Sequence, residues 1–253
     1  MTTLDDLLTR AGGERRLIGP LGFWHAAALE QIPAATMLKD PDAAARALSA
    51  AASLYGLDLV VAAPVDAVAW AVRGTAMPSA SVAVTEAEHR AQRPVEAQPD
   101  VDAVASAAAT RYLEAVVARL RSLSSAEVHT VVPIPTAESL AASLRPAVTT
   151  EWADEAIGTV LRTIGATEPD VILRIGEGPR AGLAMGLCEF FDIALVEVFS
   201  AGSPQVSGPT GEEFVGGVPA AGRLVTTRTE LPSDADPKHV AEAVRSLRTK
   251  VER

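Results

Sequence analysis

Seven polar side chains sit at or just past the ends of runs that read as strands: His25, Asp66, Arg174, Glu177, Glu197, Arg228 and Glu230. Two guanidinium groups such as Arg174 and Arg228 can hold a carboxylate or phosphate through parallel hydrogen bonds that an ammonium cannot match. Asp66 can orient a ring N–H or act as acid or base, and His25 can shuttle a proton near neutral pH. These two are the candidate catalytic residues. Arg174, Arg228, Glu177, Glu197 and Glu230 are the candidate substrate contacts. The competing assignment pairs the arginines internally with Glu177, Glu197 or Glu230, because buried arginines must be paired.

The other reactive groups carry less. Cys188 is the one cysteine and lies in an apolar segment, Leu187 to Phe191, where a buried inert thiol is expected. A single cysteine excludes an internal disulfide and a multi-thiolate metal site within one chain. His89, His129 and His239 have no second ligand at metal spacing, so no metal and no cofactor is assigned. One rival pattern competes. Strand 170–175, then Gly176-x-Gly178-x-x-Ala181, a helix and a strand carrying Glu197 about 20 residues on imitate a dinucleotide fingerprint. That motif usually opens a domain, whereas only a short remainder follows it here. Nucleotide binding therefore ranks below an anion site.

The scaffold for these groups alternates alanine-rich helical stretches with short β-branched runs. Leu4 to Arg10 reads as a helix stopped by Gly12-Gly13, and 17–24 as a strand entering a Gly-rich turn. Asp40-Pro41 supplies an N-cap and a first-turn proline to a helix ending at Gly56. Leu57 to Ala62 is a wholly apolar strand, of the kind covered on both faces. Residues 75–99, bracketed by Pro78, Pro94 and Pro99, read as a surface excursion whose strand-like piece is 81–84. One long amphipathic helix is expected over 100–123. Strands are expected over 128–134, 170–175, 193–199, 215–218 and 224–227. Further helices start at Thr136, span 151–164, run through Leu187 and begin at Asp236-Pro237. About seven strands alternating with about seven helices give an α/β class.

The chain has 253 residues, enough to bury a large core, and reads as a single domain over 1–253. Lys and Arg number 22 against 32 Asp and Glu, a net charge of −10. That balance repels phosphate backbones and anionic lipid, so neither nucleic acid nor membrane is an expected partner. No apolar run approaches the ~20 residues of a membrane span. The acidic start, Met1 to Asp6, is unlike a signal peptide, and the expected location is cytoplasmic.

Three segments in order resemble the uroporphyrinogen decarboxylase superfamily, whose barrels include the decarboxylase, corrinoid methyltransferases and cobalamin-independent methionine synthase. Leu57 to Asp66 resembles the family's second strand, whose end carries the aspartate that meets the pyrrole nitrogens in decarboxylases. Ile172 to Gly178 resembles the strand reading Ile-Leu-His-x-Cys-Gly, which supplies two zinc ligands in methyltransferases. Gly222 to Pro232, with Asp236-Pro237, resembles the closing strand Leu-Ser-Thr-Gly-Cys-Glu-Ile-Pro. The likeness spans about two-thirds of the chain and implies a fold more than an activity. It also has gaps. Arg174 and Gly176 stand where methyltransferases place His and Cys, and Arg228 or Thr227 where they place the last Cys. The decarboxylase's N-terminal Arg-x-x-x-Arg is absent, and about one strand–helix unit is missing.

The resemblance thus implies a trimmed (β/α) TIM-like barrel of about seven strands, incompletely closed, with its site at the strand C-termini. The expected function is binding of a small anionic, carboxylated ligand there. A metal-free decarboxylase is the first reading. The alternative is a methyltransferase relative acting with a corrinoid or partner subunit, or a non-catalytic ligand- or partner-binding relative. The assembly is open between a homodimer and a complex with a partner subunit.

Overall fold

Among the described residues, the β-branched and leucine-rich runs form seven short strands whose ladders are all parallel. The computed structural model describes residues 4–10, 15–72, 100–125, 127–144, 148–178, 182–198, 206–217 and 222–249. The strands are β1 (Leu17–Ile18), β2 (Leu59–Val61), β3 (His129–Pro135), β4 (Val171–Ile175), β5 (Ala194–Val198), β6 (Val206–Ser207) and β7 (Leu224–Val225). The helices are α1 (Leu4–Arg10), α2 (Phe23–Leu29), α3 (Ala34–Met37), α4 (Pro41–Tyr55), α5 (Ala67–Val72) and α6 (Val101–Ser106). They continue with α7 (Ala108–Leu123), α8 (Ala137–Ser143), α9 (Thr150–Gly165), α10 (Gly182–Phe190), α11 (Gly211–Val215) and α12 (Pro237–Thr249).

Two sheets result, one ordered β2-β3-β4-β5 and the other β1-β7-β6. They adjoin at both ends. The Asp58 N–H donates to the Ile18 carbonyl at 2.9 Å, and Gly19 lies so close to Leu59 that a Cβ would stand 2.3 Å from the leucine's own. Only glycine fits there. At the other end β6 lies beside β5. The regular ladders nevertheless stop between β1 and β2 and between β5 and β6. This is an α/β fold with parallel sheets.

Alternation along the strands divides the core in two. Leu17, Leu59, Val61, Val131, Val171, Leu173, Val196, Val198, Val206 and Leu224 pack together with Leu7 and Leu8 of α1. Their neighbours Ile18, Val60, Val132, Ile134, Ile172 and Val225 face the helices instead. Each such side chain contributes roughly 1.5–3 kcal/mol by leaving water. Helices α4, α7 and α9 meet this outer face with alanine, valine and leucine rows, small enough to bring helix and sheet close. Asp40 caps α4 by accepting from the Asp42 and Ala43 N–H groups, with Pro41 in the first turn.

Three expectations change. Val215, where the expected strand 215–218 would begin, instead ends helix α11, which a Thr210–Glu213 capping box starts, and Val218 lies outside the described residues. The sixth strand is Val206–Ser207. The helix over 100–123 breaks at Ala107, whose ψ of 143° is extended. Only Leu17–Ile18 of the segment 17–24 pairs as a strand, and helix α2 begins at Phe23. The 81–84 piece, the 75–99 excursion, His89 and Ala181 lie outside the described residues.

Candidate functional site

Parallel strands bring their C-termini to one end, where side chains from several strands can converge. Of the seven expected residues, Asp66 sits exposed in the turn after β2, its main chain starting α5 by accepting from Trp70 at 3.1 Å. Glu177 is exposed past β4, and its carbonyl accepts from Thr136 Oγ1 at 2.9 Å. Glu230 has an architectural task, its Oε2 accepting the first N–H of α2, from Phe23, at 2.9 Å.

Arg174 and Arg228 are not brought together. Arg174 is 2% exposed and shares the outward face of β4 with Ile172, while Leu173 and Ile175 face the inner core. Its Nη1 donates to Glu197 Oε1 at 2.6 Å. Arg228 instead lays its stem beside Val198, both lying within 3.0 Å of where a Cβ on Gly208 would stand. Glu197 and Val198 are consecutive on β5, and consecutive strand residues point to opposite faces. The two guanidinium groups therefore serve opposite sides of the sheet, and the expected two-arginine grip is not assembled. On the outer side, burial raises the Asp154 carboxyl above its usual value, with Arg174 opposing and Glu138 reinforcing.

The inward face past β7 holds a different set. Thr226 and Arg228 follow Leu224 at two-residue steps, and Leu224 belongs to the inner core. Thr226 is fully buried. Its Oγ1 and the Arg228 Nε are both shielded and have no hydrogen-bond partner among the described residues. Arg228 Nη2 lies 3.6 Å from Glu213 Oε2. Thr227, between them, accepts from the Leu21 N–H at 2.9 Å. Arg228 is signalled by its residue type, whereas Thr226 carries no motif, and the two-residue spacing Leu224-x-Thr226-x-Arg228 is the one sequence cue that links them.

His25 is 3% exposed on α2. Its Nε2 meets the Tyr55 hydroxyl at 2.8 Å, with the two rings stacked. The pair borders a cavity of about 20 Å³ between α4 and the β1–β2 junction, also lined by Pro20, Leu48 and Leu231, room for one water. Burial lowers the imidazole pKa, opposed by the Pro232 carbonyl. Burial and then the Asp236 charge raise that of Tyr55.

The dinucleotide pattern meets an obstacle. A Cβ on Gly178, whose φ is +150°, would stand 2.2 Å from Glu138 Oε2. A carboxylate thus occupies the approach that a phosphate would need, and like charges repel there. A zinc centre does not fit either. No group of three His, Cys, Asp or Glu able to hold a metal occurs among the described residues. Arg174 is committed to Glu197, and the Cβ of a residue at 176 would meet Ser139 Oγ at 2.5 Å. Cys188 is buried, and desolvation pushes its thiol up to about 12. No described helix is long and apolar enough to cross a membrane.

At the opposite end, Asp58 and Asp170 stand just before β2 and β4. Asp58 accepts from the Ile18 N–H at 3.0 Å and binds Arg15 and Arg248. Asp170 accepts from the Thr130 N–H at 2.7 Å, beside His129 and Arg121. One device thus ties neighbouring strands at two places in the chain.

No protein-family model matches this chain, and no curated protein matches it. Among solved structures the chain is similar to a methyltransferase from Methanosarcina mazei, with a TM-score of 0.66 over 98% of each chain at 13% identity. At that identity the likeness is one of fold.

Proposed function

We propose that the chain is a trimmed (β/α) barrel related to the methyltransferases of the uroporphyrinogen decarboxylase superfamily. It holds a small anionic ligand at the strand C-termini, and a partner subunit or corrinoid protein completes the reaction centre. The observation that carries this is the fold likeness to a methyltransferase across 98% of both chains. The strand order supports it, since β1 to β7 neighbour one another in chain order and β7 returns to β1. A decarboxylase has less support, because the two arginines that would grip a carboxylated substrate face apart. Arg228 is the anchor that remains, a guanidinium with a shielded Nε beside an apolar interior.

Thermal unfolding in acetate, malonate or phosphate against chloride at matched ionic strength tests the anion site. At ten times its dissociation constant a bound anion stabilises by about 1.4 kcal/mol, a rise of about 3–6 °C for a protein of this size. Arg228→Ala abolishes that rise. Equal stabilisation of wild type and variant places the anion elsewhere.

A further inference from the structure

We propose that Thr226 is the second donor of this anion site, and that the site takes a monocarboxylate with a short apolar tail. The inference rests on the anion-binding reading of this end. Thr226 Oγ1 and Arg228 Nε are two shielded polar atoms without partners among the described residues, two positions apart just past the end of β7, and the Arg228 stem lies beside the inward-facing Val198. The segment between them stays aligned with its neighbours: the Arg228 N–H donates to the Pro209 carbonyl at 2.8 Å, and Thr227 accepts from the Leu21 N–H. Residues two apart along a strand stand roughly 6.6 Å apart, a span that one carboxylate with a hydrogen bond on each side bridges.

Leaving a hydroxyl fully buried and unpaired is costly, and valine has nearly the same shape. No described group pairs with the oxygen at 226. A bound acceptor gives that oxygen its use. The charge balance selects the acceptor. Arg228 is the cation of this site, and Glu213, 3.6 Å from its Nη2, already offsets part of its charge. A dianionic phosphate would leave more uncompensated charge against an apolar wall than a monocarboxylate does. Val198 and Leu224 then suit a short alkyl tail.

The test uses thermal unfolding and calorimetric titration with butyrate, acetate and inorganic phosphate on wild type, Thr226→Val, Thr226→Ser and Arg228→Ala. Butyrate is expected to bind more tightly than acetate, and acetate more tightly than phosphate. Thr226→Val raises the melting temperature of the unliganded protein and weakens butyrate at least tenfold, while Thr226→Ser keeps wild-type affinity. Two results overturn the proposal and leave the anion site standing: butyrate bound equally by Thr226→Val but lost in Arg228→Ala, or phosphate preferred over butyrate. A melting temperature lowered by Thr226→Val shows that the hydroxyl has an internal partner, and also overturns it. No response of wild type to any of the three anions overturns the underlying reading of this end.

Discussion

His25 is an ionisable ring with its solvent removed. Its type suits a proton shuttle at the strand ends, yet it is packed against Tyr55 beside a cavity that admits one water. Burial holds its pKa below the ordinary value, opposed by the Pro232 carbonyl. The folded protein therefore takes up this proton less readily than the unfolded chain does. The stability it contributes is complete above the unfolded value of about 6.5, and is lost as pH falls from there towards the lower folded value. Chemical denaturation between pH 7.5 and 5 should show the midpoint falling, and a His25→Gln variant should show a flatter dependence. Asp154 works in the opposite sense, since a raised carboxyl gains stability on acidification. An unchanged slope in the variant would assign the acid sensitivity to other groups.

Helices α9 and α10 show how a single atom decides the sign of a substitution. A Cβ on Gly165 would stand 2.5 Å from the Phe191 ring, whereas one on Gly186 meets nothing within 4 Å. Alanine favours a helix over glycine by about 0.8–1 kcal/mol. Overpacking against a rigid ring costs about 1–3 kcal/mol. Gly165→Ala should therefore lower the urea midpoint, and Gly186→Ala should raise it by about 0.5–1 kcal/mol of stability. Urea unfolding of the two variants checks both signs, and equal shifts would deny the ring contact. Elements of this kind differ in how far sequence reveals them. Asp40-Pro41 announces α4 because capping chemistry is local. The Thr210-x-x-Glu213 box announces α11 just as locally, but the β-branched Val215 and Val218 outweighed it in the pattern. The break at Ala107 has no local signal, since the apolar spacing continues through it. The facing of Arg174 was equally hidden: Val171 to Ile175 is buried on both faces, so its pattern cannot distinguish inside from outside. Thr226 was hidden by its type, because a lone threonine in a strand is ordinary until its oxygen is seen to lack a partner.

At the scale of the molecule, the parallel α/β architecture follows from the alternation of apolar runs and alanine-rich helices, and a methyltransferase fold shares it. What holds the two sheets to each other is a separate matter, because the ladders stop at β1–β2 and β5–β6. At the first junction the work falls to Asp58. It is 3% exposed, takes the Ile18 N–H across the gap, and gathers Arg15 from the preceding loop and Arg248 from the last helix. Arg248 also donates to the Gly56 carbonyl, so α12 is fastened to the same corner. Removing a buried carboxylate from such a set costs about 3–5 kcal/mol, and the partial exposure of both arginines places this case at the lower end, about 3 kcal/mol. Asp58→Ala should lower the denaturation midpoint by that amount. It should also speed amide exchange at Ile18 beyond the change in global stability, because the junction opens before the rest. Arg15→Met alone should cost less, since Arg248 and the backbone N–H still hold the carboxylate. Exchange at Ile18 that follows global unfolding in both variants would show that packing of Gly19 against Leu59, not this carboxylate, keeps the sheets joined.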